Sequence, residues 1–143
     1  MKAIFATVLC ALFALAASAG KPHFTVCSGS GAVLQNVVVT SPEAVWNPSS
    51  TVHFTIEGDV SEAVASGSIA NQAYYAGMSV EDKTDDFCST APFACPTAAG
   101  RQKWDFSMDL PDVPFAGDLT SHSDFSVNGG KQFLCLELDV HLS

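Results

Sequence analysis

Hydrophobic positions in this chain recur at every second residue. Trp104, Phe106, Met108 and Leu110 fall on one side of a segment, with Asp105, Ser107 and Asp109 on the other. Such alternation marks a strand with one apolar face. Residues 51–57 repeat it, with Val52, Phe54 and Ile56 set against His53, Thr55 and Glu57. Near the end, Leu134, Leu136, Leu138, Val140 and Leu142 alternate with Cys135, Glu137, Asp139 and His141. Residues 33–40, VLQNVVVT, form a nearly continuous apolar run that Ser41-Pro42 stops, and Asn47-Pro48 marks a second turn. A further strand is expected over residues 118–127, ending in Phe125 and Val127, before the hairpin signal Asn128-Gly129-Gly130. Residues 60–80 are rich in Ala, Ser and Gly and read as one or two loosely patterned strands carrying Tyr74, Tyr75 and Met78. Gly58-Asp59 reads as a turn or bulge, residues 81–86 as an acidic loop, and residues 20–26 as a short lead-in.

No segment sustains a helical period. About seven short strands separated by turns predict an all-β sandwich of two antiparallel sheets. An immunoglobulin domain normally bridges its sheets with two cysteines around a Trp, and the cysteines here are placed differently.

The start of the chain changes the compartment. Met1-Lys2 is a short positive start, residues 3–16 are apolar, and Ala17-Ser18-Ala19 is a cleavage pattern. Residues 1–19 therefore read as a secretory signal peptide, too short in its apolar part to span a bilayer. About 124 residues remain, enough for one domain with one core. Cys10 leaves with the signal. Cys27, Cys88, Cys95 and Cys135 remain, an even count that implies two disulfides in an oxidising compartment. Three pairings are open to them; a local pair plus an end-to-end pair is the simplest.

Charge then removes some partners. Six Lys and Arg against 15 Asp and Glu give −9. That surface repels phosphate backbones, so no nucleic-acid partner is expected. Anionic membranes repel it too, less so in an acidic compartment that protonates carboxylates.

Catalytic motifs are not found. The chain carries no G-x-S-x-G elbow and no H-E-x-x-H zinc motif. His23, His53, His122 and His141 are scattered without ligand spacing, and Glu81, Asp82, Asp85 and Asp86 do not fit a calcium loop. Ser28-Gly29-Ser30-Gly31 lacks the Lys of a phosphate loop. No enzyme, metal or cofactor is expected.

The order of the parts resembles one family. An early Cys27 precedes the Ser41-Pro42 turn, the strand VHFTIEGDV, the cysteine pair in DDFCSTAPFACP, the segment WDFSMDLPDVP, and a late cysteine in QFLCLELDV. This resembles the ML (MD-2-related lipid-recognition) domain over residues 20–143. Within that family of Niemann–Pick C2-like sterol carriers it is most similar to the phosphatidylglycerol/phosphatidylinositol transfer protein branch. Niemann–Pick C2-like chains usually carry a third disulfide in the region equivalent to Ser41–Ser50, which this chain lacks, and that tilts the resemblance towards phospholipid. The resemblance implies an immunoglobulin-like sandwich, the bridges Cys27–Cys135 and Cys88–Cys95, and one lipid held between the sheets.

The lining expected for such a cavity is Phe54, Ile56, Tyr75, Trp104, Phe106, Met108, Phe125 and Leu136. Met and aromatic side chains repack around lipids of different shape. Withdrawing one sixteen-carbon chain from a bilayer costs on the order of 12 kcal/mol, which only a deep apolar site offsets. The entrance is expected at Tyr74, in the Ala/Gly-rich stretch 63–77, and at Phe93, in the loop 91–96, dipping into a membrane during transfer. The function expected is a lipid carrier for a sterol or phospholipid. The alternative is a module of the same fold that presents lipid to a receptor or acts on a host target. A monomer is expected, in transient membrane contact, secreted or in the lumen of an acidic lysosome- or vacuole-type compartment.

Overall fold

The computed structural model describes residues 20–143; the expected signal peptide, 1–19, lies outside the described residues. Eight strands follow in order: β1 (His23–Val26), β2 (Leu34–Thr40), β3 (Thr51–Val60), β4 (Gly67–Tyr75), β5 (Met78–Asp86), β6 (Gly100–Asp109), β7 (Gly117–Val127) and β8 (Lys131–Leu142). A short 3-10 turn at Phe87–Ser89 separates β5 from the stapled loop. The strands form two antiparallel sheets. The larger has the order β1-β8-β7-β4-β5, and the smaller has β2-β3-β6. This is the expected two-sheet sandwich.

Local sequence explains most of it. Alternation in β3, β6 and β8 turns Val52, Ile56, Trp104, Leu136, Leu138 and Val140 inward, where all are buried. Between β7 and β8 the chain turns through Asn128, Gly129 and Gly130, all at positive φ, which Asn and Gly tolerate best. In β2 the nearly continuous apolar run is resolved by a bulge between Gln35 and Val38, with Asn36 at φ 53. Val37 and Val39 then pack on the core, while Val38 stays exposed. Gly67 is required by close approach: a Cβ there would lie 2.5 Å from the Ser126 carbonyl oxygen and 3.0 Å from Phe87.

Three expectations are corrected. Residues 81–86 are not a loop; they continue β5 as an edge strand. All but one of the nine β5 residues are exposed, so β5 overhangs the smaller sheet and its polar sequence needs no core partner. The lead-in contains a strand, β1, paired with β8 from His23–Asp139 to Val26–Leu136. Gly58 and Asp59 lie within β3, paired regularly with Gln102 and Arg101.

Both implied disulfides are formed. Cys27–Cys135 joins the end of β1 to β8 across 108 residues, and Cys88–Cys95 closes the loop after β5. In the chain-entropy model a loop of about 100 residues gives about 4.7 kcal/mol by restricting the unfolded chain.

Candidate functional site

The interior divides into two apolar clusters. The first gathers Ile56, Ile69, Phe87, Phe93, Trp104, Phe125, Phe133 and Leu136. The second gathers Trp46, Tyr75, Leu110, Leu119, Leu138, Val140 and Leu142. Phe24 and Phe54 touch both. The division has a cause in the strand register. Moving along the inward side of β4 and β7, the cross-strand pairs are Ile69–Phe125, Asn71–Ser123, Ala73–Ser121 and Tyr75–Leu119. The outer two pairs are apolar and buried. The middle two are small or polar and only partly buried. They interrupt the apolar stripe and separate the clusters.

Facing this interruption, the smaller sheet offers Phe54, Phe106 and Met108. Phe54 and Phe106 are cross-strand partners, stacked 4.9 Å apart with ring planes 4° from parallel. Phe106 packs on the first cluster and Met108 on the second, yet all three side chains keep partial solvent access while their strand neighbours Ile56 and Trp104 are buried. The partly buried side chains of the two sheets, aromatic and thioether on one and small or polar on the other, outline a candidate cleft. Ser123 Oγ donates a 2.6 Å hydrogen bond to Asn71 Oδ1 within it. On the overhanging β5, Lys83 is the register partner of Asn71, and its Nζ lies 3.5 Å from Glu81 and 3.6 Å from Asp85. Coulombic attraction from Asp85 and Glu81 raises the Lys83 pKa, which holds the side chain in its charged form.

The eight residues expected to line a cavity all face the interior, but they do not form one surface. Ile56, Trp104, Phe125 and Leu136 are packed into the first cluster and Tyr75 into the second. Phe54, Phe106 and Met108 alone border the cleft with access to solvent. Tyr75 also spends its hydroxyl, which donates to the Phe115 carbonyl oxygen.

Neither entrance residue sits where expected. Phe93 is 4% exposed and forms the hub of the aromatic cluster, with ring centroids 4.2 Å from Phe87, 5.2 Å from Trp104, 5.4 Å from Phe106 and 5.8 Å from Phe125. The loop closed by Cys88–Cys95 carries this ring inward, so it cannot dip into a membrane without unpacking the core. Tyr74 is 40% exposed but lies on the outward side of β4, one residue out of phase with the inward pairs.

Four inward residues escaped sequence reading: Asn71, Ala73, Ser121 and Ser123. They sit in weakly patterned segments, and only the β4–β7 register makes them neighbours. Phe24, Trp46, Phe87 and Phe133 were also unforeseen as core residues.

Two concavities lie elsewhere among the described residues. A depression of about 380 Å³ lies outside the larger sheet, bordered by His23, Thr25, Tyr74, Thr120, His122, Glu137 and Asp139. It is open to solvent, and its lining exposes more apolar than polar surface. A smaller one of about 240 Å³ opens at the β1 and β2 edges beside Phe24, Val39 and Glu43. Donor atoms of Cys27, His122 and Cys135 lie within 4.8 Å of one another, but both sulfurs are consumed by their bridge and supply no thiolate for a metal.

Comparison with known proteins places this geometry. No curated protein matches the sequence. Among solved structures, chicken MD-1 complexed with lipid IVa is similar with a TM-score of 0.61 at 10% identity, over 82% of this chain and 86% of that one. A Niemann-Pick type C2 protein from the Japanese carpenter ant gives 0.56 at 12% identity, over 85% of this chain and 99% of that one. The C-terminal domain of wzt gives 0.54 at 11% identity, over 89% and 81%. At these identities the likeness shows the fold. The family model described as ML domain matches residues 21–142, nearly all of the described chain, and the chain therefore belongs to the ML domain family.

Proposed function

We propose that this protein binds a single lipid between its two sheets and carries it, with no bond made or broken. The observation that carries the reading is the partial solvent access of Phe54, Phe106 and Met108 on the inward side of β3 and β6, where Val52, Ile56 and Trp104 are buried. Aromatic and thioether groups left accessible between two sheets have no structural purpose that closing the gap would not serve better. An acyl chain laid against them restores the burial they lack. Each CH₂ so buried returns about 0.8 kcal/mol. The complex of MD-1 with lipid IVa and the similarity to a Niemann-Pick type C2 protein support the same reading.

Transfer needs contact with a donor surface, and the end of the molecule beside Tyr75 suits it. Met78 and Val80 are exposed in the β4–β5 hairpin, and the exposed Phe115 packs 5.7 Å from the Tyr75 ring. We infer that this apolar end touches the membrane transiently, and that the protein acts as a monomer outside the cell or in an acidic lumen. The same patch suits a receptor surface, which keeps a lipid-presenting role as the second reading.

Organic extraction of the purified protein, beside a blank, followed by mass spectrometry tests the carrier reading. A stoichiometric sterol or phospholipid is expected. An empty extract, together with no uptake of fluorescent sterol or phospholipid at acidic or neutral pH, would overturn it.

A further inference from the structure

Lipid binding between the sheets makes no use of the concavity of about 380 Å³ on the outer side of the larger sheet. Its volume falls in the range of small-ligand sites. Two cross-strand rows border it. One runs His23, Asp139, Thr120 and Tyr74 across β1, β8, β7 and β4. The next carries Thr25, Glu137 and His122. The rows differ in how their polar groups are spent. In the second, His122 lies 3.2 Å from Glu137 and 3.0 Å from Asp124. In the first, no side chain has a hydrogen-bond or ion-pair partner among the described residues, although Thr120 and Asp139 are direct register partners. The same pairing on the smaller sheet is closed: Thr51 donates to Asp109 and Thr55 to Asp105, each at 2.7 Å. An open Thr–Asp pair beside an unpaired imidazole and an unpaired phenol leaves donors and acceptors around one concavity. Water satisfies them in the free protein, and a ligand displaces it without loss only by offering matching groups.

Charge and shape narrow the ligand. Glu137 and Asp139 are set against His23 and His122, so neither sign dominates the concavity. The chain as a whole, at −9, repels anions. The lining exposes more apolar than polar surface, and the Tyr74 ring is 40% exposed. A matching ligand is uncharged, with hydroxyls on its edge and carbon on its face. We propose that the concavity binds a neutral saccharide, one hexopyranose ring lying with its carbon face on Tyr74. Neighbouring hydroxyls of that ring donate to the Asp139 carboxylate, and its oxygens accept from Thr120 and His23. The concavity is open to solvent, so the ring can belong to a longer glycan. It lies on the opposite side of the sheet from the candidate cleft, and the proposal is independent of lipid binding.

The test is an NMR titration of the isotope-labelled protein with mannohexaose, cellohexaose, chitohexaose and laminarihexaose, each to about 10 mM. Choline and a heparin hexasaccharide stand for a cation and an anion. At least one neutral oligosaccharide is expected to shift the backbone amides around Tyr74, Thr120 and Asp139. Tyr74→Ala, which removes the platform, and Asp139→Asn, which exchanges an acceptor for a donor, should each weaken that binding by about tenfold. If Tyr74→Ala does not fold, Asp139→Asn at its exposed position carries the comparison alone. No shift with any of the four neutral oligosaccharides would overturn the proposal. So would shifts centred elsewhere, tighter binding of choline or heparin, or wild-type affinity in the folded variants.

Discussion

Around Phe93, the rings of Phe87, Trp104, Phe106, Phe125 and Phe133 meet at centroid distances between 4.2 and 6.2 Å, most of them edge to face. One register step further along β4 and β7 come Asn71 and Ser123, and on the opposite sheet the stacked pair Phe54–Phe106; all four are only partly buried. Both regions are built from the same two sheets, a few ångströms apart. The aromatic cluster is closed by the Cys88–Cys95 loop, which folds Phe93 into the space that sheet separation would leave. Beside the second region β5 is an edge strand exposed along nearly its whole length, which gives no comparable cover. The difference separates two uses of apolar surface. One is spent on stability and the other is left available to a guest.

Mutations should divide along the same line. Phe93→Ala removes the hub of the closed cluster and should cost about 3–5 kcal/mol, read as a lowered urea midpoint. Phe106→Ala, at the boundary of the cleft, already has partial solvent access and should cost roughly half as much, while lipid uptake falls. Equal losses of stability at the two positions would dissolve the distinction between the regions. Met108→Glu gives the sharper separation. A carboxylate in the cleft has water beside it, so the domain should stay folded, but an acyl chain cannot desolvate that charge. Uptake should drop below detection in a fluorescent-lipid titration. A folded Met108→Glu protein with wild-type uptake would take this residue out of the site. Ala73→Phe should fill the gap from the other wall. Its expected outcome is unchanged or slightly raised stability, within about 1 kcal/mol, with uptake reduced about tenfold.

The strands that carry this comparison were legible wherever alternation was strong. Residues 51–57, 104–110 and 134–142 declare their inward faces in sequence, because each inward residue is large and each outward one polar. The cleft wall was not legible, for the same physical reason that makes it a wall. Asn71, Ala73, Ser121 and Ser123 break the inward pattern, so nothing local announces which way they point. Register, a property of two strands and not of one, supplies the answer. Phe93 illustrates the opposite error. A phenylalanine in a proline-flanked loop carries no period, and its burial rests on contacts with Phe87, Trp104, Phe106 and Phe125 that only the assembled sandwich supplies. The edge strand β5 read as a loop because its charges, Glu81 to Asp86, need no buried face on an overhang.

The smallest expected effect lies on the outside of the larger sheet, away from both regions. His122 Nε2 is 3.0 Å from Asp124, and its Nδ1 is 3.2 Å from Glu137. Partial burial disfavours the imidazolium, but the hydrogen bonds to Asp124 and Glu137 outweigh it and raise the His122 pKa above its ordinary 6.5. A raised folded pKa fixes the sign. The stabilisation is fully present below the unfolded value, near 6.5, and is lost as pH rises through the higher folded value. With the ring 39% exposed, solvent and salt screen these contacts, so the effect on the urea midpoint between pH 5 and pH 8 should be small. His122→Gln should flatten that part of the pH profile, and added salt should do the same to the wild type. Lipid uptake should be indifferent to the substitution, since the ring lies on the outer face and the cleft opens between the sheets. An uptake that followed His122 would join the outer face to the site and remove the separation argued above.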